Sequence, residues 1–338
     1  MELAQLRPTQ VRKMLTVTHE SLPPILLRVG DRLSETWLRR SCTPYLAEIE
    51  EVAKLLREPG GYALNLTFEW GCTTCCAQTS PGTAMTLYRT LDWLFRLGSD
   101  VVVAQHRTDH GPYFNITWPG YVGVLTAMAP GRFAAAINQA PLRYSLGTLG
   151  LTMPVDWLVN RLRIKRCTAV PPAHLLREAF ETCENYQTAK EVLTKTPICV
   201  PVIFCLTGGK AGEGCIIERT EQDAIVHDGS GVVTNHWLTE KFRGRPRPPS
   251  SAARFAKMHE LLFAVKGDLD WVVPPILNSY TRIAVELNAG EKSAIVQGWH
   301  GNVPMTHVFR IGATLRLHDT SSNVQTAKNS DVTSVIGE

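Results

Sequence analysis

Helical and strand-like periodicity alternate along the chain. From Ile25 to Arg40, apolar Ile25, Leu26, Leu27, Val29, Leu33, Trp37 and Leu38 recur at helical spacing after Pro23-Pro24. A second helix is predicted from Pro44-Tyr45-Leu46 to Arg57, stopped by Pro59-Gly60-Gly61. The alternation in Tyr62 to Trp70 predicts a strand or extended segment, Pro81-Gly82 a turn, and Thr83 to Trp93 a returning strand. Short β-prone runs follow at Val101 to Ala104, Phe114 to Trp118, Gly123 to Thr126 and Arg132 to Asn138. Helices are predicted over Ala173 to Tyr186 and Ala189 to Thr194. Strands return at Val200 to Leu206, Gly214 to Thr220, Ala224 to His227 and Val232 to Trp237. A basic, proline-rich loop spans 241–251, a helix Arg254 to Ala264, and a late hairpin Tyr280 to Leu287 with Lys292 to Gly298. Residues 1–20 and the tail beyond His318 are polar and are expected to be mobile and disordered respectively. Strand blocks separated by helix blocks predict an α+β layered fold.

Composition narrows the function classes. The 338 residues are 44% hydrophobic and 20% charged, ordinary for a globular protein with ample core. A net charge of +4 is too small to argue for nucleic acid as a partner. No apolar run is long enough to span a bilayer, and the start lacks the basic-then-apolar pattern of a secretory leader, so a cytoplasmic location is expected. The first amphipathic helix packs on the protein or touches membrane; packing is the plainer reading. The nine cysteines are odd in number and irregular in spacing, which predicts reduced thiols. Asn65-Leu66-Thr67 and Asn115-Ile116-Thr117 fit the glycosylation pattern by chance.

The densest chemistry lies in Gly71-Cys72-Thr73-Thr74-Cys75-Cys76-Ala77-Gln78 and the following Arg89-Thr90-Leu91-Asp92. A hairpin here would lay an arginine and an aspartate beside a thiol. That suits a nucleophile, because the thiolate is the attacking species. A buried inert cysteine is the alternative for Cys72, and a solvated strand-edge pair for Arg89 and Asp92. A Cys-x-x-Cys metal site at 72 and 75 lacks a second pair or a histidine cluster, so neither metal nor cofactor is called for.

Cys72-Thr73-Thr74-x-x-Ala77-Gln78 with Arg89-x-x-Asp92 resembles the mature start of the acid ceramidase and N-acylethanolamine acid amidase branch of the choloylglycine hydrolase family. Bile salt hydrolases and penicillin V acylases share that start. The resemblance continues, in order, at Trp118-Pro119-Gly120-Tyr121-Val122-Gly123 to Asn138, at Gly208 to Arg219, and at Val233-Thr234-Asn235-His236. It implies a four-layer αββα sandwich of the N-terminal-nucleophile type, cut between Gly71 and Cys72. Residues 1–71 would be the small subunit, 72–318 the catalytic domain and 319–338 a tail. Cys72 would attack, with its own freed α-amine as base, since such an amine titrates near neutrality. Asp92 would hold that amine, Arg89 would sit beside the thiolate, and Asn138 and Asn235 would donate to the oxyanion. Cys75 and Cys76 would be core residues.

One part of the family pattern is missing. The stretch that carries a further active-site arginine aligns with Ser250-Ser251-Ala252-Ala253; Arg245, Arg247 and Arg254 lie nearby, and Arg245 is taken as the replacement. Trp93, Trp118 and Tyr121 are candidates for an apolar substrate pocket. The implied activity is hydrolysis of an N-acyl amide, fatty acyl by the resemblance, through a Cys72 acyl-thioester. The two cleavage fragments would stay associated. An acyltransferase using an amine acceptor, or a non-catalytic lipid-binding relative, are the alternatives.

Overall fold

The computed structural model describes residues 24–56, 58–66, 70–78, 82–144, 153–247, 250–262, 264–265 and 267–312. The expectations for residues 1–20, for the tail beyond His318 and for Thr67 to Glu69 lie outside them.

Three helices open the described chain: α1 (Pro24–Leu38), α2 (Leu46–Leu56) and the single turn α3 (Gly61–Leu64). The strands β1 (Gly71–Gln78) and β2 (Met85–Asp92) form the central hairpin. Next come β3 (Val102–Thr108), β4 (Gly111–Thr117), β5 (Thr126–Ala129) and β6 (Phe133–Gln139), then α4 (Met153–Arg166), α5 (Pro172–Thr182) and α6 (Tyr186–Lys195). The chain continues through β7 (Val202–Gly208), β8 (Gly214–Arg219), β9 (Ala224–Asp228), β10 (Gly231–Val233), α7 (Ser251–Leu261), β11 (Thr281–Asn288), β12 (Ser293–His300), β13 (Val303–Pro304) and β14 (Phe309–Ile311). Two seven-stranded antiparallel sheets result. One runs β10-β1-β2-β11-β12-β13, with β14 also on β12; the other runs β3 to β9 in sequence order.

The sheets stack face to face, β1 and β2 against β6 and β7, with α7 outside the first and α5 and α6 outside the second. This is the expected four-layer αββα order. The apolar core holds Leu87, Leu91 and Ile116 between the sheets, and Phe133, Ile137, Phe204 and Ile217 on the helix side of the second sheet, where Phe133 stacks on Phe180 of α5. A second cluster between β1, β2 and α7 holds Cys75, Tyr88, Met258 and Trp271. Among the described residues no helix is long and apolar enough to cross a membrane.

The helix-forming patterns and most strands fall where periodicity puts them; the exceptions have tertiary causes. Tyr62 to Leu66 is a helical turn and its exit, not a strand. The carboxylate of Asp31 on α1 accepts from the backbone N–H groups of Tyr62 (2.9 Å) and Ala63 (3.0 Å) and so caps the turn from outside it. Gly61 lies so close to α2 that a Cβ there would stand 2.9 Å from the Ala53 Cα. Residues 123–125 form no strand either, because their backbone bonds other partners: Val124 N–H donates to Ala173 O and Gly123 O accepts from Asn115. The block Ala173 to Tyr186 is broken after Thr182, where Asn185 caps α6 with a reciprocal Asn185–Thr188 box. The strand expected over Val232 to Trp237 ends at Val233. Helix α4 escaped the pattern reading, and exposed Val155 and Leu162 interrupt its polar positions.

The N-terminal helices pack on the rest of the chain through polar as well as apolar contacts. Trp37 Nε1 donates to Ile164 O and Cys167 O, Tyr45 Oη donates to Glu181, and Arg177 pairs with Glu48 at 2.6 Å. Asn65 is 2% exposed; it donates to Gly61 O and Gly120 O and accepts from Val122 N–H. Its burial, and that of Asn115, agrees with the view that both glycosylation patterns are fortuitous. Removing the carboxamide in Asn65→Ala leaves buried backbone groups unpaired. It should cost about 2–4 kcal/mol of stability in denaturant unfolding.

His174, wholly buried on α5 with Nδ1 2.7 Å from Thr43 Oγ1, is pulled down to about 3 by burial and then by Arg177. As pH falls from 6.5 toward 3 the unfolded chain takes up a proton that the folded chain refuses. Stability should therefore decline with acidification across that window. His174→Gln should flatten the decline in denaturant midpoints measured against pH.

Candidate active site

The β1–β2 hairpin fixes the site through the two-residue period of a strand. Cys72 pairs with Leu91 and Gly71 with Asp92. Cys72, Thr74 and Cys76 face the second sheet, whereas Thr73, Cys75 and Ala77 face α7. Arg89 and Asp92, three residues apart, therefore lie on opposite faces of β2 instead of side by side. Cys72 and Cys75 are divided in the same way, which rules out a shared metal between them.

On the inter-sheet face, Arg89 Nη2 stands 3.2 Å from Cys72 Sγ and donates to Ile137 O at 2.6 Å. Its Nη1 donates to Leu125 O at 2.6 Å and to Thr126 Oγ1. Arginine and thiol are both buried, so the charge next to sulfur is little screened. The Cys72 thiol is directed toward Ile137 O at 3.7 Å.

On the helix face, Asp92 accepts from Thr281 Oγ1 (2.9 Å) and Asn278 Nδ2 (3.0 Å). It stands 3.9 Å from Arg254 Nη1. Arg254 is the residue that sequence reasoning set aside in favour of Arg245. It is wholly buried and donates to Cys72 O, to Thr73 Oγ1 at 3.0 Å and to Asn235 Oδ1 at 2.9 Å. Burial lowers its guanidinium from the usual value, against the opposing pull of Asp92 and Cys72. Arg245, by contrast, is not brought to this cluster: its Nη2 lies 3.3 Å from Asp156 and its backbone pairs with Leu142. Arg247 donates through its backbone to Asn235 O. The missed signal was a cation in the buried stripe Ser251–Arg254–Met258 of α7.

Asn235 brackets the Gly71–Cys72 peptide. Its Oδ1 accepts the Cys72 N–H at 2.8 Å, and its Nδ2 donates to Trp70 O at 3.4 Å and Gln139 O at 2.9 Å. The Cys72 N–H thus goes to Asn235 in this uncut chain, not to Asp92. Ser251 Oγ, at the start of α7, accepts from Asn235 N–H at 2.9 Å and so fixes the turn beyond β10. Asn138, the other expected oxyanion donor, is held by other partners in this uncut chain. Its Nδ2 donates to Val233 O and Thr234 O, both at 3.1 Å, and its Oδ1 accepts from Thr74 at 2.5 Å. With its amide hydrogens taken by these carbonyls, it braces the loop that carries Asn235.

Cys75 and Cys76 are core residues. Burial pushes the Cys75 thiol well up, and Cys76 directs its thiol at Gly229 O (3.3 Å). All nine cysteines are free thiols. Trp93, just past β2, packs on Trp118 and Phe95 with ring centroids 5.0 Å away and on Trp70 at 6.5 Å. Trp118 and Tyr121 also line a small cavity beneath Glu48 and Val52 of α2.

Residues 72–238 match the family profile of linear amide C–N hydrolases, choloylglycine hydrolase family. The acid ceramidase of Heterocephalus glaber is 30% identical over 178 residues, 49% of this chain and 42% of that protein. The acid ceramidase of Mus musculus is 37% identical over 108 residues, 31% of this chain and 25% of that protein. The chain thus spans less than half the length of these relatives. Among solved structures, the Caenorhabditis elegans N-acylethanolamine-hydrolyzing acid amidase ortholog superposes with a TM-score of 0.49 at 21% identity, covering 65% of this chain and 93% of that one. A mutant conjugated bile acid hydrolase from Clostridium perfringens gives 0.44 at 9% identity, covering 73% of this chain and 93% of that one.

The geometry separates two arginines that sequence alone could not rank. Arg254→Met should slow any chemistry at Cys72 about a hundredfold, whereas Arg245→Met should leave it within about twofold. The rate of chain cleavage or of thiol labelling at Cys72 checks this.

Proposed function

Residues 72–238 belong to the choloylglycine hydrolase family of linear amide C–N hydrolases, and from that premise we propose that this chain is a self-processing cysteine amidase acting on N-acyl amides. The single observation that carries the reading is the buried Cys72, with the Arg89 guanidinium 3.2 Å from its sulfur and its own N–H held by Asn235 at 2.8 Å. A permanent positive charge faces the sulfur that must carry negative charge as the attacking thiolate, and a carboxamide already grips the nitrogen that must leave.

In self-processing, Cys72 Sγ bonds the Gly71 carbonyl carbon, the Gly71–Cys72 C–N bond breaks, and the thiol proton passes to the released amine. Water then cleaves the thioester, leaving a Gly71 carboxylic acid and a free thiol. In turnover the amine of Cys72 is the base, Asp92 and Arg254 hold that end of the strand, and Asn235 donates to the oxyanion. An N-acyl amide forms the same thioester and releases its amine; the named activities of the ceramidase relatives make a fatty acyl amide the first substrate to try. The contacts of α1 and α2 with α4 and α5 support two fragments that stay together after the cut.

Intact mass spectrometry of the wild type beside Cys72→Ala tests the reading. The expected result is two fragments meeting between Gly71 and Cys72 in the wild type only, followed by fatty acid release from N-acyl amides. A wild-type chain that stays whole at neutral and acidic pH overturns it.

A further inference from the structure

The basic loop after Trp237 carries a cation at every second position: Lys241, Arg243, Arg245 and Arg247. Two of the four turn to the protein. Arg245 Nη2 lies 3.3 Å from Asp156 Oδ2, and Arg247 Nη2 donates to Ala140 O at 3.4 Å. The other two do not. Among the described residues, neither Lys241 Nζ nor the Arg243 guanidinium has a counter-charge or a hydrogen-bond acceptor. Lys241 Nζ lies instead over the Phe242 ring, 5.8 Å from its centroid.

Both line a cleft of about 230 Å³, together with Arg143 from the segment after β6. Arg143 Nη2 is tied to Glu221 at 2.7 Å, which leaves its Nε and Nη1 without a partner among the described residues. Asp223 is the one carboxylate in the lining, and it pairs with none of the three cations. Cations from separate segments that converge on one cleft repel one another, and an anion among them removes that cost. Guanidinium and ammonium donors suit a phosphate, whose oxygens accept several charge-assisted hydrogen bonds at once. The cleft is several times the roughly 30 Å³ that one water occupies in the liquid. It therefore has room for a phosphate and a few carbons, beside the Trp237 and Phe242 rings that also line it, with centroids 5.1 Å apart.

We propose that this cleft is a binding site for a soluble phosphate monoester, held by Arg143, Lys241 and Arg243. None of these three touches Cys72, and the site is independent of the amidase reading. It has a structural consequence. Arg143 follows β6, Lys241 and Arg243 follow Asn235, and the two segments already meet through reciprocal Leu142–Arg245 backbone bonds of 2.9 and 2.8 Å. The bound ester adds a second tie between them.

The test is thermal unfolding of the full chain against glycerol 3-phosphate, with sodium chloride at matched ionic strength as the control. The midpoint should rise saturably, by about 2–3 °C at tenfold the dissociation constant. Inorganic phosphate should reproduce the rise and chloride should not. Lys241→Gln combined with Arg243→Gln should abolish it. Lys257→Gln, at a surface lysine of α7, should leave it unchanged. If the double variant does not fold, Arg243→Gln alone should weaken binding about tenfold. A rise that never saturates, or that chloride matches, is diffuse screening and overturns the site. A double variant that keeps the full shift overturns it too. So does binding to phosphatidate vesicles without any shift by glycerol 3-phosphate, which assigns the cations to a lipid surface.

Discussion

Two guanidinium groups buried on either side of one strand pair hold this molecule's centre together. A cation removed from water has to recover its hydration from fixed acceptors or it will not stay. Arg89 recovers it from Leu125 O, Thr126 Oγ1 and Ile137 O of the facing sheet; Arg254 does so from Cys72 O, Thr73 Oγ1 and Asn235 Oδ1, with Asp92 as its nearby counter-charge. Those acceptors come from both sheets and from the loop beyond β10. The layers must therefore close correctly before either arginine is satisfied. Cys72 lies between them, its side chain addressed by one and its backbone by the other.

The same alternation sorts three neighbouring thiols into different fates. Cys72 meets a cation. Cys75, on the opposite face, meets only Tyr88, Met258 and other apolar groups, and burial keeps it protonated. Cys76 returns to the inter-sheet face but further along the strand, where backbone carbonyls of Gly229 and Gly231 take its thiol. The surroundings of each thiol at this hairpin are thus a matter of which face and which neighbour, not of cysteine as such.

The uncut peptide also shows how the site is divided. Asn235 touches both the nitrogen of Cys72 and the carbonyl of Trp70, while Asn138, braced by Thr74, holds the loop that presents it. One asparagine holds the nitrogen of the Gly71–Cys72 peptide and the other supports the loop that carries it.

Much of the layered α+β architecture was legible in the chain, because period-2 and period-3.6 patterns reflect burial directly. So was the grouping of Cys72, Arg89, Asp92 and Asn235, which the fold brings together and whose residue types and order match a family of linear amide hydrolases. Sequence spacing did not reveal that Arg89 and Asp92 take opposite faces, although a three-residue step in a strand requires it once the strand is known. Only tertiary structure decided the rest. The turn at Gly61 to Leu64 is helical because a carboxylate some thirty residues earlier in sequence caps it. Asn138 is a brace because its donors meet the carbonyls of Val233 and Thr234. Arg254 displaces Arg245 because α7 turns it inward while Arg245 finds Asp156. Each of these outcomes depends on a partner distant in sequence, and local pattern carries no information about which distant polar group will satisfy a buried one.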